Sequence, residues 1–537
     1  MKVVSSFVQL FTKMLSALSI VVLSSQMALA QTGKDGNVVT IGVILILGAL
    51  VLGAVAVVGN SMVQVLSVKV GNHTNGEVVD EDLLASKNHV LKKGLNIKLK
   101  GESSSEIKKF HSSRYAVMPF NFNNIAPIPK MIVEVGQEVK AGQPLFYDKG
   151  HPNVNFVAPV SGELVEVKRG PKRSIAQVVI LADKDVEFKA LNSPNIDEVD
   201  RAELREFLKA NGGWPLFKQR PFNILPGVDE EPRDIFISGF DTAPLAGDMA
   251  MKINGRFEAI QEGINVLNKL TDGKVYMSLD GREGAAIPAE LDHMHGVDIH
   301  YFDGPHPAGL VGIQIHHIKP INAGDVVWTI GIQELITLGN MFLKNEYRAE
   351  RVFNIAGLAT EKGGYYQSYS GADLKEILGE ELSDKSKRII AGNVLHGLAK
   401  NEDNAFLDFY KDQVTCIDEG DDYEMFGWLL PQTMRPSASR TYPNFLFKDF
   451  KYQVDTNTHG EKRAFVVTGQ YESVLPVDTY PQYLFKSIIT RHVENMEGLG
   501  IYELVEEDVA LCEFVCTSKQ PLQKILREGL DFMMKEV

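Results

Sequence analysis

The hydrophobic pattern changes character several times along the chain. From Val38 to Val58 the run VVTIGVILILGALVLGAVAVV is apolar throughout, with Thr40 its one polar side chain. At 1.5 Å per residue it is about 30 Å long, the thickness of a bilayer's hydrocarbon core. A soluble helix of that length carries a polar face, and this run has none. It predicts a transmembrane helix within residues 38–66. Residues 1–31 carry Lys2 and Lys13, the apolar Met14–Leu23 and Ala28-Leu29-Ala30 before Gln31, the layout of a secretory signal. If that signal is cleaved, the span crosses back inward; if it is retained, two crossings form a hairpin. Both outcomes put the following body on the cytoplasmic side; only if residues 1–37 stay inside does it face outward. Residues 67–90, with Glu77, Asp80, Glu81 and Asp82 close together, read as an acidic tether.

Beyond the tether, short alternating runs replace the apolar block. IVEVGQEVKAGQPLFYDK and FVAPVSGELVEVKRGPKRSIAQVVI give paired strand patterns, with Gly136 and Gly142 at turn positions. The period then shifts to that of helices in EVDRAELREFLKA (198–210) and FEAIQEGINVLNKL (257–270). DIFISGF (234–240) and KVYMSL (274–279) are strand-like, and Ile330–Leu343 is helix-like. This strand–helix–strand order predicts a Rossmann-like parallel sheet over residues 191–349. No G-x-G-x-x-G follows its first strand, so a dinucleotide site of the usual kind is not expected. RVFNIAG, GGYYQSYSG and ADLKEILG then read strand, turn, strand and short helix within 350–400. A strand-rich region is expected over 401–480, from YEMFGWLLP, NFLFKDF and AFVVTGQYESVLPV, and a helical region over 481–537. The fold class is multidomain α/β.

Composition narrows the function. A net charge of −14 leaves no basic surplus for phosphates, which argues against a nucleic-acid partner. Three cysteines, Cys416, Cys512 and Cys516, make no disulfide framework and cannot hold a four-thiolate iron–sulfur cluster. Six histidines crowd into residues 292–317 (His293, His295, His300, His306, His316 and His317), but their spacing fits no standard metal motif. No metal ligands and no catalytic residues are assigned.

The doubled V-G-x-x-V-x-x-G-x-x-L and V-x-A-P-x-x-G-x-L pattern over residues 91–190 resembles the biotinyl/lipoyl flattened barrel. Lys149 is the one candidate for a carrier lysine, in a turn about two residues too long for that role, so the structural use of the barrel is expected. The 350–400 segment resembles the SLBB β-grasp fold. KKGLNIKL (92–99), the barrel segment, FDGPHPAGL (302–310), FGWLLP (426–431) and EEDVALCEFVC (506–516) occur together in this order. From Leu91 to Val537 they resemble the A subunit of the sodium-translocating NADH:quinone oxidoreductase, which ordinarily starts near the KKGL motif.

The same architecture resembles the NADH-binding flavoprotein of complex I. There a glycine-rich loop cradles FMN; the matching stretch here is Gly212-Gly213-Trp214-Pro215-Leu216-Phe217, and Trp and Leu stand where a flavin needs bare backbone. The acidic segment of that flavoprotein matches Asp241-Thr242-Ala243-Pro244-Leu245, stripped of most carboxylates. The resemblance therefore implies a cofactor-poor member, with no covalently bound cofactor, of an inner-membrane complex with five other subunits, B to F. FAD, FMN, riboflavin and iron centres are expected in those partners, ubiquinone is the substrate, and Na⁺ is exported. Quinone contact needs an apolar slot with a few donors, for which Trp214, Phe217, Phe222 and His306 are candidates beside their ordinary reading as core or turn residues. Two other functions fit parts of the pattern. One is a periplasmic membrane-fusion-type adaptor, which needs a long helical hairpin between the barrel halves where this chain has about ten residues, between Asp148 and Pro159. The other is an NADH-dependent flavoprotein in its own right.

Overall fold

The computed structural model describes residues 87–125, 129–421 and 449–536, and between the last two 424, 434–438, 444 and 447. The signal-like segment, the apolar span, most of the tether and the FGWLLP motif lie outside the described residues. No helix among the described residues is long and apolar enough to cross a membrane.

The central element is a six-stranded sheet in the order 88–90, 298–303, 275–280, 234–238, 327–331, 218–220. The first five strands are parallel, and Lys218–Arg220 closes the edge antiparallel to Val327–Gly331. Its central strands are apolar on both faces, as a sheet covered on both sides requires. Ile235, Ile237, Met277, Trp328 and Ile330 face one core, and Phe236, Tyr276, Phe302 and Val327 face a second. Helices Phe257–Leu270 and Ile332–Leu343 cover the first face. Helix Val311–Ile318 and the C-terminal helices cover the other. Helix Arg201–Ala210 starts at Asp200, whose carboxylate accepts the Glu203 N–H at 2.8 Å.

The barrel is built from a four-stranded and a three-stranded sheet over residues 114–182. Gly136 and Gly142 adopt φ of +91° and +83° in its turns, a region closed to most side chains. Only a turn and the strand Asn155–Val157 lie between Asp148 and Pro159, so the adaptor's helical hairpin is absent. A second six-stranded sheet runs 397–400, 387–392, 413–418, 350–356, 364–369, 107–109. The C-terminal end is helical, with Pro481–Ile489, Val493–Gly498, Ala510–Val515 and Leu522–Glu536.

Four boundaries differ from the sequence expectation. The tether gives way to sheet at Asn88–Val90, a polar tripeptide whose strand identity comes from its partner, Tyr301–Asp303. Residues 91–109 lie outside the two barrel sheets: Leu91, Ile97 and Leu99 pack into the second core, and Ile107–Lys109 joins the second sheet. That sheet does not stop at 400, because Gln413–Asp418 is its third strand. AFVVTGQYESVLPV forms no strand; Tyr471, Val474, Leu475 and Val477 instead pack under the C-terminal helices.

The two helices on the first face cross backbone to backbone. A Cβ on Gly339 would lie 1.8 Å from the Ala259 carbonyl oxygen, and one on Gly263 would lie 2.6 Å from Leu335 Cδ1. That contact sets the position of helix Ile332–Leu343, whose first turn reaches the molecule's centre. Gly339→Val is expected to destabilise the chain by about 3 kcal/mol, since backbone cannot yield as a side chain does. Gly498→Ala, with nothing within 4 Å of the new carbon, is expected to be close to neutral in the same urea-unfolding measurement.

Candidate functional site

From the strand Asp234–Ser238 the chain moves outward through Val275–Asp280 to Asp298–Asp303. It then returns by helix Val311–Ile318 to place Val327–Gly331 on the other side of Asp234–Ser238. The direction of winding therefore reverses between Asp234–Ser238 and Val327–Gly331. In open parallel sheets a crevice forms beyond the carboxyl ends of the strands at such a reversal. Here Ser238 and Gly331, the last residues of those two strands, line a cavity of about 180 Å³.

Charged groups paired by the chain itself line that crevice. Glu334, in the first turn of helix Ile332–Leu343, folds its carboxylate back so far that a Cβ on Gly331 would lie 2.1 Å from Oε2. A helix N-terminus favours negative charge, and the chain supplies it from its own side chain. Arg351 donates to Glu334 Oε1 at 2.6 Å, with both side chains buried. Gln333 beside it bonds the Val352 backbone twice, at 2.9 and 2.8 Å, and so fastens the second sheet to this helix. Lys252 donates to Asp412 at 2.6 Å. From the sheet edge, Arg220 donates to Asp508 and Glu507 at 2.9 Å each, tying in the C-terminal helices. Gly312 leaves room for this contact, since a Cβ there would lie 2.4 Å from the Asp508 carboxylate.

Burial sets the electrostatics. It pushes the Asp241 carboxyl up, against the Ala243 N–H that donates to it at 2.8 Å. Burial raises Asp508 as well, more than Arg220 lowers it. At Glu507 burial acts the same way, but Arg220, Lys218, His396 and Lys411 outweigh it and hold the carboxyl low. Burial brings His306 down to about 4. Its ring shares a 3.1 Å hydrogen bond between Nδ1 and Thr242 Oγ1, and its backbone N–H donates to Asn96 Oδ1 at 2.9 Å.

The structure separates the four quinone candidates. Trp214 is buried, donating to the Pro226 carbonyl at 3.0 Å with its ring edge-on to Trp328. Phe217 is buried against the same Trp328. Both are core residues, with Trp214 1% and Phe217 0% exposed. Phe222 lies elsewhere, edge-on to Tyr502 under the C-terminal helices. His306 alone lines the cavity. The sequence reading missed Lys252, Glu334, Arg351, Asp412 and Glu507. The one local signal was Glu334, a single carboxylate inside the apolar run IQELITLG. A second, larger cleft of about 740 Å³ opens beside the first, between the loops 241–249 and 282–288, with Ile97, Leu279, Ile287 and Tyr365 among its walls.

The remaining chemistry is local. His89 and His300 share a 2.9 Å hydrogen bond across the sheet edge, and His316 bonds Glu503. Cys416, Cys512 and Cys516 are buried free thiols, and Cys516 meets the Tyr471 hydroxyl at 2.9 Å. Among the described residues no three His, Cys, Asp or Glu side chains are placed to hold a metal.

A histidine with a depressed pKa resists the proton in the folded state, so stability is lost as pH falls from its unfolded value of about 6.5 toward 4. His306 is expected to cost the fold about 3 kcal/mol by pH 4, partly offset by Asp508, whose raised carboxyl acts in the opposite sense. His306→Gln is expected to flatten the pH dependence of urea unfolding over that window.

Two family models match the chain. The "NqrA N-terminal barrel-sandwich hybrid domain" covers residues 89–183, and the "NqrA second alpha/beta domain" covers 199–347. Among curated relatives, the A subunit of the Na(+)-translocating NADH-quinone reductase of Vibrio atlanticus is 37% identical over 449 residues, 83% of this chain and 99% of the relative. The A subunits of Vibrio anguillarum and Aliivibrio salmonicida are 36% and 34% identical over the same shares. A barrel, a doubly covered parallel sheet and near-complete coverage of these relatives agree: the chain belongs to the family of A subunits of Na(+)-translocating NADH-quinone reductases.

Proposed function

We infer that this chain serves as the A subunit of a membrane complex that couples NADH oxidation and quinone reduction to sodium export. The observation that shapes its role within that complex is the Glu334 carboxylate. It occupies the helix N-terminus where a nucleotide phosphate binds in related sheets, and Arg351 locks it there. A cavity of about 180 Å³ beside it has no room for a flavin or a nicotinamide, against the roughly 300 Å³ and more of ordinary ligand pockets. The chain then carries no redox cofactor of its own and works by holding partners that do. This reading sets aside the independent flavoprotein.

The finer points belong to the same proposal. The second sheet serves as the SLBB-type module. The apolar run Val38–Val58 anchors the chain in the inner membrane with the folded body on the cytoplasmic side, against five other subunits. Quinone contact falls to the larger cleft and its partner-facing rim rather than to Trp214 and Phe217, because those side chains are fully enclosed. In that cleft the Tyr365 hydroxyl accepts the Asp248 N–H at 2.7 Å and keeps its own proton for a carbonyl oxygen.

Affinity purification through this chain is expected to bring down integral-membrane partners and NADH-driven quinone reduction stimulated by Na⁺. Membranes lacking the chain are expected to lose that activity. Tyr365→Phe in the complex is expected to raise the KM for quinone several-fold, roughly the loss of one hydrogen bond, with the NADH KM unchanged. A chain that purifies alone, from membranes whose activity does not depend on it, contradicts the assignment.

A further inference from the structure

The small central cavity and the larger cleft share a wall. Phe240, Asp241 and Met249 line both spaces, and of these three only Asp241 can carry a proton. It stands three residues past the end of the strand Asp234–Ser238, where the winding of the sheet reverses. Its Oδ1 accepts the Ala243 N–H at 2.8 Å. Its Oδ2 has no hydrogen-bond partner among the described residues, yet it is not one of the sealed polar atoms of the fold. The residue is partly buried, and that oxygen is left for the open space beside it.

Two segments that carried the family resemblance brace this turn. Gly309, in FDGPHPAGL, packs so closely that a Cβ there would lie 2.5 Å from the Thr242 nitrogen and 2.9 Å from Asp241 Cα. Its N–H donates to Thr242 Oγ1 at 2.9 Å, the same oxygen that meets His306 Nδ1 at 3.1 Å. Gly94, in KKGLNIKL, fits against that loop in turn. A Cβ there would lie 2.3 Å from the His306 carbonyl oxygen, which accepts the Leu95 N–H at 2.8 Å. Asp241 is thus a carboxyl held at a set place between two spaces.

Its surroundings suit a group that holds and releases a proton. Burial raises its pKa; the Ala243 N–H and Lys252 oppose that shift, and the Asp412 and Glu507 charges add to it. Lys252 is already paired with Asp412, and Arg220 with Glu507. Arg282, on the cleft wall, is held by Asp280 at 2.8 and 2.6 Å, and His306 behind the turn is kept neutral by burial. A carboxyl raised in this way keeps its proton to higher pH than a surface aspartate and can act as a general acid. The cavity on its other side, about 180 Å³ and lined by charged side chains, has room for several waters at about 30 Å³ each.

We propose that Asp241 is the acid that protonates a quinone in the larger cleft, with its proton restored through water in the smaller cavity. This rests on the reading of that cleft as the quinone site. Reduction of a quinone to its quinol takes two electrons and two protons, and each C=O becomes C–O–H. The electrons come from NADH by way of the partner subunits. One proton leaves the Asp241 hydroxyl for a carbonyl oxygen as negative charge builds there, and the carboxylate remains. A proton from solvent then reaches that carboxylate through the cavity water. The other carbonyl oxygen takes its proton from solvent at the mouth of the cleft. The chain supplies protons where its partners supply electrons.

The test uses the purified complex carrying Asp241→Asn, which keeps an oxygen for the Ala243 N–H and loses the acid. With NADH and a short-chain ubiquinone, kcat is expected to fall roughly a hundredfold, with the quinone KM within about twofold of wild type. NADH-driven reduction of ferricyanide, which puts no proton on the acceptor, is expected to be unchanged. In the wild type kcat is expected to fall as pH rises through the titration of the acid, and Asp241→Asn is expected to lose that limb. Asp241→Glu is expected to recover part of the rate with the limb displaced, which a purely structural role does not produce. Tyr365→Phe separates this proposal from the reading beneath it. A raised quinone KM there, with wild-type kcat and pH profile in Asp241→Asn, leaves the cleft standing and overturns the proton role. An unchanged KM there overturns the cleft reading and the proton role with it. Equal loss of quinone and ferricyanide reduction in Asp241→Asn also overturns the proton role.

Discussion

The Glu334–Arg351 pair holds together the part of the molecule where a nucleotide would otherwise sit. Glu334 lies at the start of a helix whose dipole attracts negative charge, and at the point where the sheet's winding reverses. Without a carboxylate of its own, that first turn would be an open anion site. With it, the helix end is neutralised from within, and the same carboxylate draws Arg351 and the second sheet onto the first. Removing one partner alone would strand a buried charge, at a cost on the order of 3–5 kcal/mol. The pair therefore occupies the helix end and, with the Gln333 bonds to Val352, joins two parts of the fold.

Other parts of the fold support the same centre. Helix Ile332–Leu343 reaches it because Gly263 and Gly339 let two helices touch through backbone. The C-terminal helices reach it through Arg220, and helix Val311–Ile318 admits their carboxylates because residue 312 is glycine. Lys252 and Asp412 add a second tie between the sheets. Three parts of the chain thus converge on a small charged space rather than an open groove. The relatives are named as subunits of a Na(+)-translocating NADH-quinone reductase, and in this chain the sheet crevice is lined by paired charges of its own.

The regular elements were legible because their signals are local. FEAIQEGINVLNKL carries the helical period and forms the helix Phe257–Leu270, and DIFIS and VYMSL sit in the parallel strands their apolar runs imply. Asn88–Val90 was not legible, since a polar tripeptide becomes strand only through a partner more than two hundred residues away. AFVVTGQYESVLPV failed in the opposite direction: Val474 and Val477 serve as contacts beneath helices rather than as a ladder, and Val466 and Val467 are exposed. The site was hardest, because its pairs are distant in sequence. Arg220 meets Asp508 across 288 positions, and Lys252 meets Asp412 across 160. The aromatic residues Trp214 and Phe217 looked like a ligand wall in the sequence and are core, since nothing in composition separates a buried slot from a filled one. Of the four quinone candidates His306 lines the central cavity, and none of the four lines the larger cleft.

The most direct test of this account is whether the isolated chain can take a flavin at its central crevice. FMN is titrated into the purified full-length protein while flavin fluorescence is followed, alongside the same titration of Glu334→Gly, which empties the helix N-terminus. The account predicts no saturable quenching with the wild-type chain and, at most, weak quenching once Glu334 is gone. Stoichiometric quenching by the wild-type chain, unaffected by loss of Glu334, would contradict it.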